Sequence, residues 1–218
     1  MEISIVRDLR AAFGPARNQG MRPTCLAFAA SDSHAAVRGS SVPLSCEFAF
    51  YYAQRRSKRP PHQGAELSTM LEVLKEDGQP VESEWPYLAS LPSDLASWLP
   101  PAGITQVYRR AGDACAASVD EIVRLLDDGR PVLTTMMLSD SFYLPANDGV
   151  IDVVPGEGAD PTRRHAVVAV GLGIRNNKRL ILVRNSWGAG WGIAGHGWLT
   201  ESFLQPRMMR IAVLAQEE

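Results

Sequence analysis

Residues 18–30 read NQGMRPTCLAFAA, and they mark the passage from a loop to a helix. Gly20 and Pro23 are typical of a loop, whereas the alanine-rich run after Cys25 favours a helix. Cys25 is therefore expected at a helix N-terminus, where the positive end of the helix dipole favours thiolate over thiol. A lone cysteine is equally suited to be a small buried hydrophobic residue, and this stretch alone leaves both interpretations open.

The sequence on either side of this stretch predicts an α+β protein, with helices in the first half and strands in the second. Helical composition or 3-4-3 apolar spacing occurs over 24–38, after Ser45, over 65–78 and over 118–129. The later β-rich runs are RPVLTTMML, HAVVAVGLG, RLILVRNS, GHGWLT and RMMRIAVL, and Asn176-Asn177 predicts a hairpin turn between two of them.

The proline-rich segment 79–103 is predicted to be an irregular seam between two lobes. We expect one domain with a helical lobe over about 20–110 and a β lobe over about 111–218 that includes the N-terminal segment. A groove between two such lobes is a natural place for a long substrate.

Composition excludes several classes of protein. The chain has 218 residues, 45% of them hydrophobic, and a formal net charge of −2, which are ordinary globular values. We expect no nucleic-acid partner, because positive charge is not in excess, and no membrane segment, because no apolar stretch approaches the roughly 20 residues that span a bilayer. The basic run over 54–62 is interpreted as a solvated loop, with an anion-binding patch as the alternative.

The three cysteines are an odd number and do not make a disulfide framework. We therefore expect free thiols in a reducing, cytoplasmic setting, and the N-terminal residues lack the basic start and long apolar core of a signal peptide. A secreted or translocated form is the alternative. We expect neither a metal site nor a cofactor, and the sequence specifies no oligomeric state.

Three further residues complete a nucleophilic site around Cys25. Gln19 has a side-chain amide that can donate to an oxyanion beside the Cys25 backbone N–H, His165 begins an apolar strand, and Asn185 ends another. Each residue alone also has a structural explanation. Together they supply a base, a group that orients the base and an oxyanion donor, and the 140-residue gap from Cys25 to His165 fits residues from opposite lobes.

On these residues the chain resembles the papain-like cysteine peptidases over nearly its full length. NQG before Cys25 is similar to the family's Gln-Gly…Cys block, HAVVAVGLG to its histidine strand, and residues 183–200 (VRNSWGAGWGIAGHGWLT) to its Asn-Ser-Trp-Gly…Trp-Gly block. The resemblance implies an α+β two-lobe fold, with an active-site cleft between a helical lobe and a β-barrel-like lobe. It also implies a thiolate–imidazolium pair, a peptide or protein substrate in the groove, and a Trp187 ring that shields the hydrogen bond between Asn185 and His165.

Several positions depart from the family pattern. Arg22-Pro23-Thr24 stands where the family usually has Cys-Gly-Ser, so the usual disulfide near the site is missing, and Leu26 replaces a tryptophan. Gln63-Gly64 replaces two glycines, which leaves one glycine to let the substrate backbone approach. Fewer than 25 residues precede Cys25, and we therefore expect no inhibitory prosegment in this chain.

The resemblance also assigns a set of substrate-binding residues: Gln63, Gly64, Ala65, Glu66, Thr135, Arg164, Ala166 and Trp187. Glu66 either accepts a basic substrate side chain or is a helix residue that faces solvent. Arg163 and Arg164 either face solvent or recognise an acidic group of the substrate, and a cation beside His165 would disfavour imidazolium.

We therefore expect a cysteine peptidase that hydrolyses peptide bonds through a Cys25 thioester, with His165 as acid and base, Asn185 as its orienting group and Gln19 as oxyanion donor. Two alternatives stay open. The same chemistry can transfer the acyl group to an amine or cleave a non-peptide amide, or the chain can be a catalytically weak pseudo-peptidase that only binds peptides.

Overall fold

The structure, a computed structural model, describes residues 2–216 and confirms the predicted α+β class. Within these residues there are five α-helices: α1 Cys25–Val37, α2 Cys46–Ser57, α3 Leu67–Glu76, α4 Val119–Asp127 and α5 Glu201–Leu204. The strands of the described residues are β1 Ser4–Asp8, β2 Gly112–Cys115, β3 Val132–Leu138, β4 Val150–Ile151, β5 Asp160–Arg175, β6 Lys178–Arg184, β7 His196–Thr200 and β8 Met208–Leu214.

The sequence patterns do not predict β1, β2 and β4. Strand β1 is exposed along its whole length, so it lacks the alternation of buried and exposed residues that identifies a strand. Strand β2 reads GDAC, which has low strand propensity, and β4 has only two residues. These strands form because the longer strands β5, β8 and β7 offer backbone N–H and C=O groups for pairing.

Helix α1 is the central helix of the fold. Ten of its 13 residues are buried, and a helix that is apolar on most of its circumference must be surrounded by other elements. It packs against β5 on one side and against α2 and α3 on the other. Its first residue, Cys25, therefore lies where helices and sheet meet.

The sheet has the order β2-β8-β3-β5-β6-β7-β4, and β1 pairs with β5 outside this path. Strand β5 is 16 residues long and turns into β6 at Asn176-Asn177, whose φ angles of 52° and 58° confirm the predicted hairpin turn. Alternate residues of β5 enter two different cores. Val168 packs with the helices α1 to α3, whereas Val167 packs with α4 and α5 on the opposite face.

A partly buried carboxylate joins α1 to the sheet. Asp32 of α1 accepts hydrogen bonds from Arg17 at 2.6 Å and from Arg184 of β6 at 2.7 Å. Arg184 is 4% exposed and also donates to two backbone carbonyls of the N-terminal segment. This network fixes α1, which carries Cys25, relative to the end of β6, which leads into Asn185.

The segment over 79–103 contains a short 3-10 turn, Leu95–Ser97, and isolated bridges at Gln79 and Val81, and is otherwise irregular, as its prolines predict. The lobe boundary near residue 110 stays a prediction. In the part of the chain that the structure describes, no helix combines the length and apolar character needed to cross a bilayer.

Candidate active site

A groove of about 830 Å³ lies between the start of α1 and α3 on one side and strands β3, β5 and β8 on the other. Eleven of the twelve predicted site residues line it: Gln19, Cys25, Gln63, Gly64, Ala65, Glu66, Thr135, Arg164, His165, Ala166 and Trp187. The twelfth, Asn185, lies behind His165 and is 2% exposed. Within residues 2–216, no group of three or more His, Cys, Asp or Glu side chains is arranged to hold a metal ion.

Cys25 is the first residue of α1, and its partly buried thiol lies against the backbone of β5. Burial raises the pKa of the Cys25 thiol above its ordinary value, while hydrogen bonds from the backbone of Ala166, Leu26 and Cys25 itself lower it by less. The contact with Ala166 puts the sulfur beside the residue that follows His165. Helix and strand thus bring together two residues that are 140 positions apart.

His165 has a defined tautomer because of its partner. Its Nε2 lies 2.7 Å from the Asn185 Oδ1, and the same oxygen accepts a hydrogen bond from the Ser186 N–H at 2.8 Å. Since a backbone N–H can only donate, this Asn185 atom is the carbonyl oxygen, and His165 Nε2 must carry the hydrogen. Nδ1 is left to exchange a proton with a nucleophile or a substrate.

Burial lowers the pKa of His165 to about 4, and the hydrogen bond to Asn185 offsets only part of this effect. His165 is 6% exposed. Each member of the predicted thiolate–imidazolium pair therefore favours its neutral form when the other is also neutral. An ion pair requires the two groups to exchange a proton and stabilise each other.

Aromatic rings enclose the pair formed by His165 and Asn185. The Trp187 ring lies 4.7 Å from the His165 ring, and the Phe142 ring lies 5.8 Å from it. Tyr143 stacks on Trp187 at 5.2 Å. Phe142 and Tyr143 were not predicted from the sequence, where their only signal is two adjacent aromatic residues in a polar loop. Their positions beside Trp187 keep water from the hydrogen bond, which strengthens it.

Gln19 is held with its amide nitrogen available for donation. Its Oε1 accepts from the Ser186 hydroxyl at 2.6 Å, and its Nε2 donates at 2.8 Å to the Arg22 carbonyl, which can only accept and so identifies that atom as nitrogen. One Nε2 hydrogen is thereby used. Because Gln19 also lines the groove, the second hydrogen can serve a bound group beside Cys25.

Arg22 anchors the loop before Cys25, and its partner was not predictable from the local sequence. Its guanidinium forms two hydrogen bonds with the Glu47 carboxylate, at 2.6 and 2.9 Å. Glu47, on α2, is fully buried and also accepts from Trp98 Nε1 at 2.7 Å and from the Leu88 N–H at 3.0 Å. This buried ion pair ties the loop before Cys25 to helix α2.

The residues on the helical side of the groove have separate partners. Glu66 precedes α3 and pairs with Arg59 at 2.6 Å, so its charge is already balanced. Gln63 offers its carbonyl to Gln54 at 2.7 Å. A methyl group added to Gly64 would meet only the Pro23 carbonyl at 3.8 Å, an ordinary contact. The packing of the chain therefore does not require glycine at position 64.

Comparison with known proteins identifies the family. A model described as papain family cysteine protease matches residues 5–204. Chymopapain from Carica papaya is 26% identical over 192 residues, which cover 86% of this chain and 51% of chymopapain. A cysteine protease from Blomia tropicalis is 30% identical over 83 residues, or 38% of this chain and 24% of that protein. The chain spans about half or less of the length of these curated relatives.

Two solved structures share the fold. Xylellain, a cysteine protease from Xylella fastidiosa, has a TM-score of 0.78 at 21% identity, covering 97% of this chain and 86% of xylellain. The Carica candamarcensis cysteine protease CMS1MS2, in complex with E-64, has a TM-score of 0.71 at 20% identity, covering 97% and 98% of the two chains. Since the family model matches nearly the whole sequence, this chain belongs to the papain family of cysteine proteases.

Proposed function

We propose that this chain is a cysteine peptidase that hydrolyses peptide bonds in the groove. The observation that carries the proposal is the contact between the start of α1 and strand β5. The Cys25 thiol contacts the backbone of Ala166, the neighbour of His165. His165 in turn is oriented by Asn185. A nucleophile, a base and an orienting group are the minimum that thiol-dependent acyl transfer needs.

In the proposed reaction, the Cys25 thiol gives its proton to His165 Nδ1 and the thiolate sulfur bonds to the carbonyl carbon of the substrate. The carbonyl oxygen becomes an oxyanion that the Gln19 amide and the Cys25 backbone N–H stabilise. The His165 imidazolium then gives its proton to the departing amine, which leaves an acyl thioester. Water, deprotonated by His165, releases the carboxylate product and restores the thiol.

The charges of the pair arise together. Two opposite charges about 4 Å apart, at an effective dielectric constant of about 20, attract by roughly 4 kcal/mol, which is worth about three pKa units. An attraction of this size offsets the loss of hydration that lowers the pKa of His165 to about 4. The first-turn backbone N–H groups of α1 add to it by favouring thiolate. Each side chain is therefore charged only when its partner is present to stabilise the charge.

The substrate is a peptide or protein in an extended conformation. Gly64 supports this, because a glycine that the packing does not need gives the backbone of a ligand room to approach. Cys25, Cys46 and Cys115 are all free thiols. We propose a reducing, cytoplasmic setting on that basis.

Peptide cleavage by matched thiol variants tests the proposal. We expect Cys25→Ala to abolish cleavage of fluorogenic peptides, whereas Cys115→Ala retains it, because Cys115 lies on the edge strand β2 and does not line the groove. Full cleavage by Cys25→Ala would contradict the assignment. Mass spectrometry of products formed with an added amine separates hydrolysis from transfer to that amine, since only transfer yields the amide.

Thiol labelling gives an independent test. Iodoacetamide is expected to modify Cys25 before the other two thiols and to prevent cleavage in proportion. Cys46 is fully buried and burial raises its pKa, so it is the slowest; burial also raises the pKa of Cys115. Equal labelling of the three cysteines, or slow reaction of Cys25 with a peptidyl epoxide, would favour a pseudo-peptidase.

A further inference from the structure

The groove is lined by more positively charged side chains than negatively charged ones. Four arginines and one carboxylate reach it: Arg59, Arg163, Arg164, Arg210 and Glu66. The basic excess is local, since the whole chain has a net charge of −2. A groove whose charge opposes that of the whole protein attracts a ligand of the opposite sign.

Two of the four arginines already have carboxylate partners. Arg59 pairs with Glu66 at 2.6 Å, and Arg163 pairs with Asp160 at 2.8 Å and also with Asp140. Arg59 and Glu66 balance each other, and Arg163 is outnumbered by its two aspartates, neither of which lines the groove. These pairs leave little net attraction for a ligand.

The other two arginines of the groove, Arg164 and Arg210, are exposed. The Nε of Arg164 donates to the carbonyl of Pro161 at 3.2 Å. Among residues 2–216, neither Arg164 nor Arg210 takes part in an ion pair, and both side chains are exposed. Their charges are therefore free to act on a molecule in the groove.

Strand register puts both arginines on the same face of the sheet. Thr135 of β3 is opposite Ala166 of β5 and Arg210 of β8, and Met137 of β3 is opposite Arg164. Side chains of opposite residues lie on one face, and so do residues two apart on a strand. Ala166 packs into the core that contains α1, so this face is the one directed at Cys25 and the groove.

We infer that Arg164 and Arg210 select a peptide substrate with an acidic side chain near the scissile bond, an inference that rests on the proposed peptidase function. A guanidinium forms paired hydrogen bonds with a carboxylate, and the partial exclusion of water between the two walls strengthens such a contact. Glu66 does not oppose it, because Arg59 balances its charge. The recognised group is an aspartate or glutamate side chain of the substrate.

Positional peptide sets test this selectivity. Fluorogenic peptides carry Glu, Gln or Lys at one position at a time, and kcat/KM is measured for each. We expect kcat/KM for the Glu peptide to exceed that for the Gln peptide at one position by roughly 10- to 100-fold, the range of charge-assisted hydrogen bonds. The Lys peptide should have the lowest kcat/KM. The ratio should shrink as ionic strength rises, because salt screens the attraction.

Variants assign the effect to the two arginines. Arg164→Gln and Arg210→Gln should each lower the Glu-to-Gln ratio, and Arg210→Glu should favour Lys. Met209→Gln is the matched control, since Met209 lines the same groove next to Arg210 but carries no charge; it should leave the ratio unchanged. All three positions are exposed in part or whole, and thermal melting verifies that the four variants fold.

The outcomes separate this inference from the proposed function. Cleavage with equal kcat/KM for Glu and Gln at every position overturns the acidic preference and leaves the peptidase intact. If no peptide is cleaved, the peptidase proposal fails. The same peptides are then compared by fluorescence anisotropy on the Cys25→Ala variant, where equal binding of Glu and Gln peptides overturns the inference and tighter binding of Glu supports it.

Discussion

Removing the charge of Glu47 should destabilise the protein and loosen the loop before Cys25. In the native chain the Glu47 carboxylate accepts four hydrogen bonds: two from Arg22, one from Trp98 and one from the Leu88 N–H. Glu47→Gln keeps the shape but replaces one acceptor oxygen with a donor. It also leaves the Arg22 guanidinium, 7% exposed, without a counter-charge.

The magnitude follows from this burial. Removing one partner of a buried ion pair typically costs about 3–5 kcal/mol, because the remaining charge loses both water and its partner. For a protein of this size each kcal/mol lowers the melting temperature by about 2–4 °C, so we expect a decrease of roughly 6–20 °C. The rings of Tyr87 and Phe50, 5.1 and 5.5 Å from the Arg22 guanidinium, offset a small part of the cost.

Urea unfolding and peptide cleavage measure the two consequences. Peptide cleavage should also fall, because the Arg22 carbonyl accepts the hydrogen bond that orients Gln19. The double variant Arg22→Met/Glu47→Gln removes the orphaned charge and should be more stable than Glu47→Gln alone. A free energy of unfolding within about 1 kcal/mol of the native value for Glu47→Gln would refute the reasoning, and so would strictly additive effects in the double variant.

Three other predictions concern single positions. In Cys25→Ala the thiolate is gone, so burial should leave the pKa of His165 near 4 by NMR titration, against a higher value in the native chain; unchanged titration would contradict mutual stabilisation. Because the unfolded imidazole titrates near 6.5 and binds more protons between pH 6.5 and 4, the free energy of unfolding of this variant should fall through that window by roughly 3 kcal/mol as pH drops. Gly64→Ala should keep the melting temperature but raise KM for peptides, and an unchanged KM would remove its proposed role. Gly195→Ala should instead lower the melting temperature sharply, since φ is +80° there and the new Cβ would overlap the Ala16 Cβ; native-like melting would show that the backbone adapts.

Much of the local structure was predictable because its causes are local. Ser45 accepts from the Phe48 N–H and so begins α2, as its position before an apolar periodic run indicates. Asn176 and Asn177 tolerate positive φ and produce the predicted hairpin. Interactions over three or four residues leave a signature in the sequence itself.

The partners of buried charges were not predictable in this way. Arg22 lies in a loop and Glu47 lies 25 residues later on a helix, and nothing in either segment points to the other. The same holds for Phe142, which reaches His165 from a loop 23 residues before it. Arg210 was missed as a groove residue because its face of β8 depends on register with β3.

By itself, the sequence determined the α+β class and the helix with a cysteine at its start, and it predicted Gln19, Cys25, His165 and Asn185 as a catalytic set. Only the tertiary structure decided which charges remain unbalanced in the groove, how the loop before Cys25 is anchored, and how far water is excluded from His165. The reason is that periodicity and turn chemistry act between near neighbours in the chain. Charge balance and exclusion of water depend on groups that meet only when distant segments pack together.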